Sequence, residues 1–411
     1  MSELSRYAIN NADVTEQFWS QVLYTKDDIE SASIGTQRAI AVEKALGNLP
    51  EHLSESRENF RFIDLFAGIG GIRIPFEELG GSCVLTSEWD KFAQLTYERN
   101  FGEVPQGDIT KISAKSVPDH ELLLAGFPCQ AFSLAGFKRG FSDTRGTMFF
   151  EIQRMLATKR PKAFLLENVK QLRGHDGGRT LETILKILRG EDTPSIPLDV
   201  PMSPEARRSM SVKLNYNVEY KVLKATEFGV PQNRERIYIV GFDKDEFPAL
   251  DLKDFFQNLS GKVETTRLGD ALQSPESIPE KYTISDKLLL GLEKRMERHR
   301  LKGNGFGHSV FNYDSKHCNT ITSRYYKDGR EILIDQSKFG KNPRKLTPRE
   351  CANIQGFPEW FDVSAVSDTQ AYRQFGNSVS VPVIRSIAKS MINILQSQTA
   401  VQENEKEIAV G

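Results

Sequence analysis

Arg61-Phe62-Ile63-Asp64-Leu65-Phe66-Ala67-Gly68-Ile69-Gly70-Gly71 runs from an apolar stretch straight into a glycine-rich turn. Arg61 to Leu65 reads as a strand, Phe66 to Gly71 as the turn, and Ile72 to Leu79 as the helix that follows. Glycines at such a junction let a ligand approach the backbone closely, and an acidic residue ending the next strand can bond ribose hydroxyls. Glu88 stands at that place, after a second strand over Cys83 to Ser87. A complete G-x-G-x-x-G is absent, which counts against a dinucleotide.

The same alternation continues outward. Helical patterns cover Lys91 to Asn100, Met148 to Thr158 and Leu181 to Leu188, interleaved with strands at Leu122 to Ala125 and Ala163 to Leu166. Two last strands, Val218 to Leu223 and Arg236 to Gly241, lie close enough to pair antiparallel. Alternating strands and helices predict an α/β fold: a doubly wound, mostly parallel Rossmann-like sheet with helices on both faces. Residues 189–213 read as a surface excursion containing proline and serine, and residues 244–343 as a smaller, irregular, β-containing second domain. Within it, Tyr325 to Ile334 predicts a hairpin turning at Asp328-Gly329. Helical patterns resume at Thr347 and end with Val381 to Leu395. The expected organisation is a helical extension over 1–58, a catalytic domain over 59–243, the second domain over 244–343, a return to the first over 344–397, and an unstructured acidic tail over 398–411.

Composition narrows the class. Of 411 residues 39% are hydrophobic and 27% charged, an ordinary soluble balance, and no apolar run reaches membrane-spanning length. Residues 1–10 lack a signal-peptide pattern, so a cytoplasmic protein is expected. The four cysteines are scattered, which suggests neither a disulfide framework nor a zinc cluster; His317-Cys318 has no second pair of ligands, so no metal is expected. Net charge is −1, yet residues 293–349 carry 14 Lys/Arg against 6 Asp/Glu while residues 1–58 carry 5 against 10. One basic face fit for a polyanion follows from that asymmetry.

The strand Leu122 to Ala125 leads into Gly126-Phe127-Pro128-Cys129-Gln130-Ala131-Phe132-Ser133, placing a thiol at the carboxyl end of a sheet strand, where ligand and catalytic groups of open sheets collect. Pro128 fixes a bend there. Leu166-Glu167-Asn168-Val169 brings a carboxyl to the end of the neighbouring strand, and Gln232-Asn233-Arg234-Glu235-Arg236 sets two arginines on one face before another. Each alone has a packing explanation; a thiol, a carboxyl and a guanidinium beside an adenosine-type site do not share one.

These stretches, in order, resemble the DNA (cytosine-5)-methyltransferases: FIDLFAGIGG, SEWD, GDI, GFPCQAFS, LENV, QNRERI, RKLTPRECANIQGFP and QFGNSVSVPV, spanning Phe62 to Val383. The region Thr320 to Ile334 is similar to members that methylate CCWGG or CCNGG sites. The resemblance implies an S-adenosylmethionine-dependent enzyme, with S-adenosylhomocysteine as product and no metal, acting on cytosine in double-stranded DNA. By matching position it implies catalysis by Cys129, Glu167 and Arg236, supported by Asn168 and Arg234. Cofactor contacts carry over to Phe66, Gly68, Gly70, Glu88, Trp89, Asp108, Ile109, Pro128 and Asn377. Lys138, Arg139 and Arg145 in the loop Leu134 to Thr147 are placed to close over DNA, and Arg324 and Arg330 to read it. A partner restriction endonuclease is implied, a membrane is not, and a monomer suits an enzyme that modifies each strand in turn. Two other readings stay open: a catalytically silent DNA-binding regulator and a tRNA methyltransferase.

Overall fold

The computed structural model describes residues 60–128, 148–192, 200, 202–261, 263, 267–305 and 307–410, with side chains to 397. The expected N-terminal extension lies outside these residues. Among the described residues, six strands form one sheet in the order β2-β1-β3-β4-β6-β5. They are β1 Phe60–Leu65, β2 Gly81–Ser87, β3 Leu122–Gly126, β4 Ala163–Val169, β5 Tyr216–Lys224 and β6 Glu235–Asp243. β1 to β4 run parallel, whereas β6 is antiparallel to both β4 and β5, as the short link between the last two strands anticipated.

Helices cover both faces because the strands are apolar on both. On one face Ile63, Leu65, Leu123, Phe164 and Leu166 pack with α3 (Met148–Lys159) and α4 (Arg179–Arg189). On the other, Phe62, Leu122, Leu124 and Leu165 pack with α1 (Arg73–Glu78) and α9 (Val381–Val410). Phe247, Leu252, Phe255 and Phe256 join that second face, so the core of the sheet extends past residue 243. A third cluster unites Ile69, Tyr97 and Phe101 near the glycine turn with Tyr325, Ile332, Leu346 and Phe375. Tyr97 and Phe101 belong to α2 (Lys91–Phe101), which Asp90 caps by accepting from Phe92 N and Ala93 N, and which Gly102 ends at φ +73°.

Three expectations are corrected. Residues 189–213 are not only a surface excursion: Val200 and Ala206 are buried in the core, and Pro204–Ser209 forms a short helix, α5. Its signal was Ser203 as cap followed by proline at the first helical position. The hairpin over 325–334 does not form. Tyr325 is wholly buried, and its hydroxyl donates to Ile332 O and accepts from Leu346 N, so this segment folds into successive turns instead of an alternating ribbon. Only Leu333–Ile334 (β8) is extended, pairing parallel with Val310–Phe311 (β7). The tail expected to be unstructured after Gln398 continues α9 to Val410; its Ala, Gln, Glu and Lys residues favour helix, with no glycine or proline before Gly411.

Arg154 on α3 ties this architecture to the site. Fully buried, it donates to Glu151 at 2.8 Å, to Glu205 of α5 at 2.7 Å, and to the carbonyls of Ile109 and Ile112 at 2.9 and 2.6 Å. Removing one partner of a buried ion pair leaves a desolvated charge. Arg154→Met is therefore expected to cost about 3 kcal/mol in urea unfolding. Adding Glu151→Leu should recover part of that loss, and a double variant no more stable than the single one would contradict this account.

Candidate active site

The glycine turn is held at both ends. Phe66, Gly68 and Gly70 take φ of +56°, +58° and +82°, and Ala67 N donates to Ser87 O, fastening the turn to the end of β2. A Cβ on Gly70 would lie 2.2 Å from the Phe101 ring, so only glycine fits. A Cβ on Gly68 would meet nothing within 4 Å, which leaves that side of the turn open to a ligand. Glu88 is buried beside it, its Oε2 accepting from Gly68 N and its Oε1 from Asp90 N, both at 2.8 Å. Burial pushes this carboxyl up, against the pull of those backbone N–H groups. Trp89, 64% exposed, follows it at the rim.

Two further segments approach the turn. Ser87 Oγ donates to Gly107 O at 2.7 Å, drawing in Asp108, whose Oδ1 accepts from Thr110 N, and the buried Ile109. A Cβ on Gly71 would lie 2.9 Å from Val379 Cγ2 and 3.0 Å from Ser378 Oγ, so the loop after α8 (Asp368–Asn377) abuts the turn. Asn377 is exposed at the end of that helix.

At the neighbouring rim, Gly126 of β3 is in register with Glu167 of β4, and Val169 with Arg236 of β6. Alternate residues share a face, so Arg236 reaches diagonally to Glu167, Nε to Oε1 at 3.0 Å, with the two side chains only 13% and 9% exposed. Burial raises the Glu167 carboxyl, and the Arg236 and Arg234 charges oppose that rise. Asn168 points to the other face, and its Nδ2 donates to Phe127 O at 3.0 Å, fixing the backbone just before the exposed Pro128. Arg234 departs from the expected grouping. Its guanidinium is fully buried and donates to the carbonyls of Ile321, Gly376 and Ser378, while burial and the charge of Arg236 pull it down to about 9.

Cys129, Lys138, Arg139 and Arg145 lie outside the described residues. Arg324 is exposed and Arg330 half-buried, both among the turns that replace the expected hairpin. Among the described residues, no group of three or more His, Cys, Asp or Glu side chains is arranged to hold a metal ion. Two features escaped the sequence reading. Arg73, buried behind the turn, donates to Tyr97 Oη at 2.8 Å and to Glu103 and Glu77, and Tyr97 Oη lies 3.0 Å from Thr86 Oγ1. Asp64 is wholly buried, neither carboxyl oxygen has a partner among the described residues, and burial pushes it up to about 8. Its signal was a lone charge on the inward face of an apolar strand.

Site and fold together define an open glycine turn beside a carboxylate–guanidinium rim on a doubly wound sheet with an antiparallel strand. A family model described as C-5 cytosine-specific DNA methylase matches residues 60–192 and 209–393. The chain belongs to that family. It is 53% identical over 341 residues to the Type II methyltransferase M.DsaV of Dactylococcopsis salina, covering 82% of this chain and 88% of that protein. To M.SsoII of Shigella sonnei it is 50% identical over 349 residues, 85% and 84% of the two chains. Among solved structures, S. pombe Dnmt2 methyltransferase superposes with a TM-score of 0.62 over 81% of this chain and 98% of that one, at 20% identity, a likeness of fold.

The buried Asp64 gives a pH test. Between its ordinary value of 3.8 and about 8, the folded chain holds a proton that the unfolded chain releases, so stability falls as pH rises through that window. Asp64→Asn removes this dependence. Its gain in Tm over the natural protein should grow from about pH 5 to about pH 9, and a pH-independent difference would contradict the assignment.

Proposed function

We propose that this enzyme transfers a methyl group from S-adenosylmethionine to C5 of a cytosine in a short duplex DNA site, through a covalent bond between Cys129 and C6. The observation that carries the reading is the buried Glu167–Arg236 pair beside Gly126, three residues before Cys129. Cofactor binding is supported by the open side of the turn at Gly68, by Glu88 aligned on it, and by the exposed Trp89 ring next in sequence. When bound there, S-adenosylmethionine supplies the electrophilic methyl group that C5 takes up, leaving S-adenosylhomocysteine.

Cytosine C5 is a weak nucleophile, and the thiolate of Cys129 overcomes this by adding to C6 and making the ring an enamine. Glu167, whose carboxyl holds a proton more readily than usual, suits the N3 and amino edge of the base as the ring gains electron density. Arg236 offers its charge to the base carbonyl. Asn168 sets the approach of the thiol through Phe127 O. After methylation a base removes the C5 proton, and the thiolate leaves C6. The target carbon is inaccessible within stacked DNA, so the cytosine is flipped out, at a cost of a few kcal/mol.

The basic residues 293–349, with Arg324 at the surface, support DNA reading by the smaller domain expected over 244–343, on a CCWGG or CCNGG site. Phosphate contact by Lys138, Arg139 and Arg145 belongs to the same proposal. Names such as Type II methyltransferase among the relatives support a cytoplasmic role in protecting host DNA, paired with a restriction endonuclease.

Bisulfite sequencing of unmethylated plasmid DNA, after incubation with protein and S-adenosylmethionine, is expected to leave protected cytosines at one short motif. Complete conversion by a folded protein that binds DNA would overturn the reading. Cys129→Ala should abolish transfer, and Glu167→Gln should lower kcat on the order of 10²- to 10⁴-fold with cofactor affinity retained.

A further inference from the structure

Arg234 sits next to the rim in sequence but is committed elsewhere. Its Nη1 donates to Ile321 O at 3.2 Å, and its Nη2 to Gly376 O at 3.2 Å and to Ser378 O. These acceptors come from two segments distant in sequence, the strip 318–323 and the segment 376–378, where α8 ends. Both Nη groups are bonded to backbone carbonyls, Nε is buried with no partner among the described residues, and with 1% of its surface exposed this guanidinium has no face left for a base.

The strip is stitched to the residues around Arg234 by further bonds. Asn233 N donates to Cys318 O at 2.8 Å, Cys318 N to Pro231 O at 2.9 Å, and Thr320 Oγ1 to Asn233 O. The strip then leads outward: Thr322 Oγ1 accepts from the backbone N of the exposed Arg324 and donates to Glu331. On the other side, a Cβ at Gly376 would lie 2.3 Å from Ser323 N and 2.4 Å from Thr322 C, so the end of α8 and the strip are in backbone contact. The same stretch of chain abuts Gly71 of the cofactor turn through Ser378 and Val379. Arg236, two residues after Arg234, holds Glu167. One buried side chain thus joins the strip that leads to Arg324, the rim, and the end of α8 against the turn.

We propose that Arg234 is a positioning residue that couples reading of the target sequence to alignment of the Glu167–Arg236 rim. It rests on the reading above, that the strip's surface meets DNA. A correct site seats the strip and, through Arg234, the start of β6 and the end of α8 at 376–378; a mismatch that displaces the strip misaligns both. A planar guanidinium can bond three carbonyls in fixed directions, whereas an ammonium at that place cannot reproduce the fork.

The test measures kcat and KM on the duplex site identified by bisulfite sequencing and on duplexes altered at one base pair. It compares the natural enzyme with Arg234→Lys, Thr320→Val and Arg236→Lys. A single mismatch costs a DNA-reading protein roughly 1–3 kcal/mol, or about 5- to 150-fold. Arg234→Lys is expected to shrink the cognate-to-mismatch ratio of kcat/KM by on the order of tenfold, chiefly through a lower kcat on the cognate site. Thr320→Val, which removes one peripheral bond, should move the ratio the same way by a smaller factor. Arg236→Lys should lower kcat on all duplexes alike and leave the ratio in place. A uniform loss across duplexes for Arg234→Lys would assign it to base binding and overturn the coupling. If Arg234→Lys does not fold, Thr320→Val decides: an unchanged ratio there overturns the proposal. Absence of methylation by the natural enzyme would instead be a failure of the reading above.

Discussion

A buried ion pair at the rim of the sheet sets the terms for the rest of the molecule. Glu167 and Arg236 are 13% exposed or less, and taking two charges out of water costs more than an ordinary packed contact returns. The fold accommodates them by turning one strand around. In a wholly parallel sheet the start of β6 would lie at the opposite edge from the end of β4. Because β6 is antiparallel, its first residues face the last residues of β4, and Arg236 arrives within reach of Glu167. The reversed strand is thus the device that puts a guanidinium where β3 and β4 deliver their own functional groups.

A second dependence runs through the glycine turn. Its geometry rests on the ring of Phe101 against Gly70, Ser378 and Val379 against Gly71, and Ser87 O at the end of β2 against Ala67 N. Behind it, Arg73 joins α1 to Tyr97 of α2 and, through Thr86, to β2. Chain segments separated by some 300 residues therefore share one wall, and the stretch at Ser378 and Val379 is part of the packing that holds the turn. Arg154 does similar work for Ile109, so helix α3 and the short helix α5 also bear on that wall.

Much of this was legible in the sequence for a plain reason: runs such as Leu122 to Ala125 and Ala163 to Leu166 are apolar on both faces, and only a doubly covered sheet buries them. The partnership of Glu167 with a basic residue was legible too, since both motifs end or begin strands. The role of Arg234 was not. Spacing alone puts it on one face with Arg236, and only the packed structure shows the carbonyls of Ile321, Gly376 and Ser378 around it. Tyr325 misled for the same cause: an alternating pattern around Asp328-Gly329 fits a hairpin, but a buried hydroxyl bonded to Ile332 O and Leu346 N outweighs local turn chemistry. Asp64 falls in the strand Arg61 to Leu65, and its burial without a partner among the described residues comes from the strands paired on either side of it, at Thr86 and Leu124.

The central claim is that the thiol of Cys129 bonds to C6 of the target cytosine. The most direct measurement places 5-fluorocytosine at the methylated position of a duplex, incubates it with protein and S-adenosylmethionine, and resolves the mixture on a denaturing gel. Fluorine at C5 cannot leave as a proton does, so the bond to C6 should persist. A protein–DNA band that maps to the peptide containing Cys129, and is absent from Cys129→Ser, is the predicted result. Methylation of ordinary cytosine by the same protein without any trapped band would contradict the account.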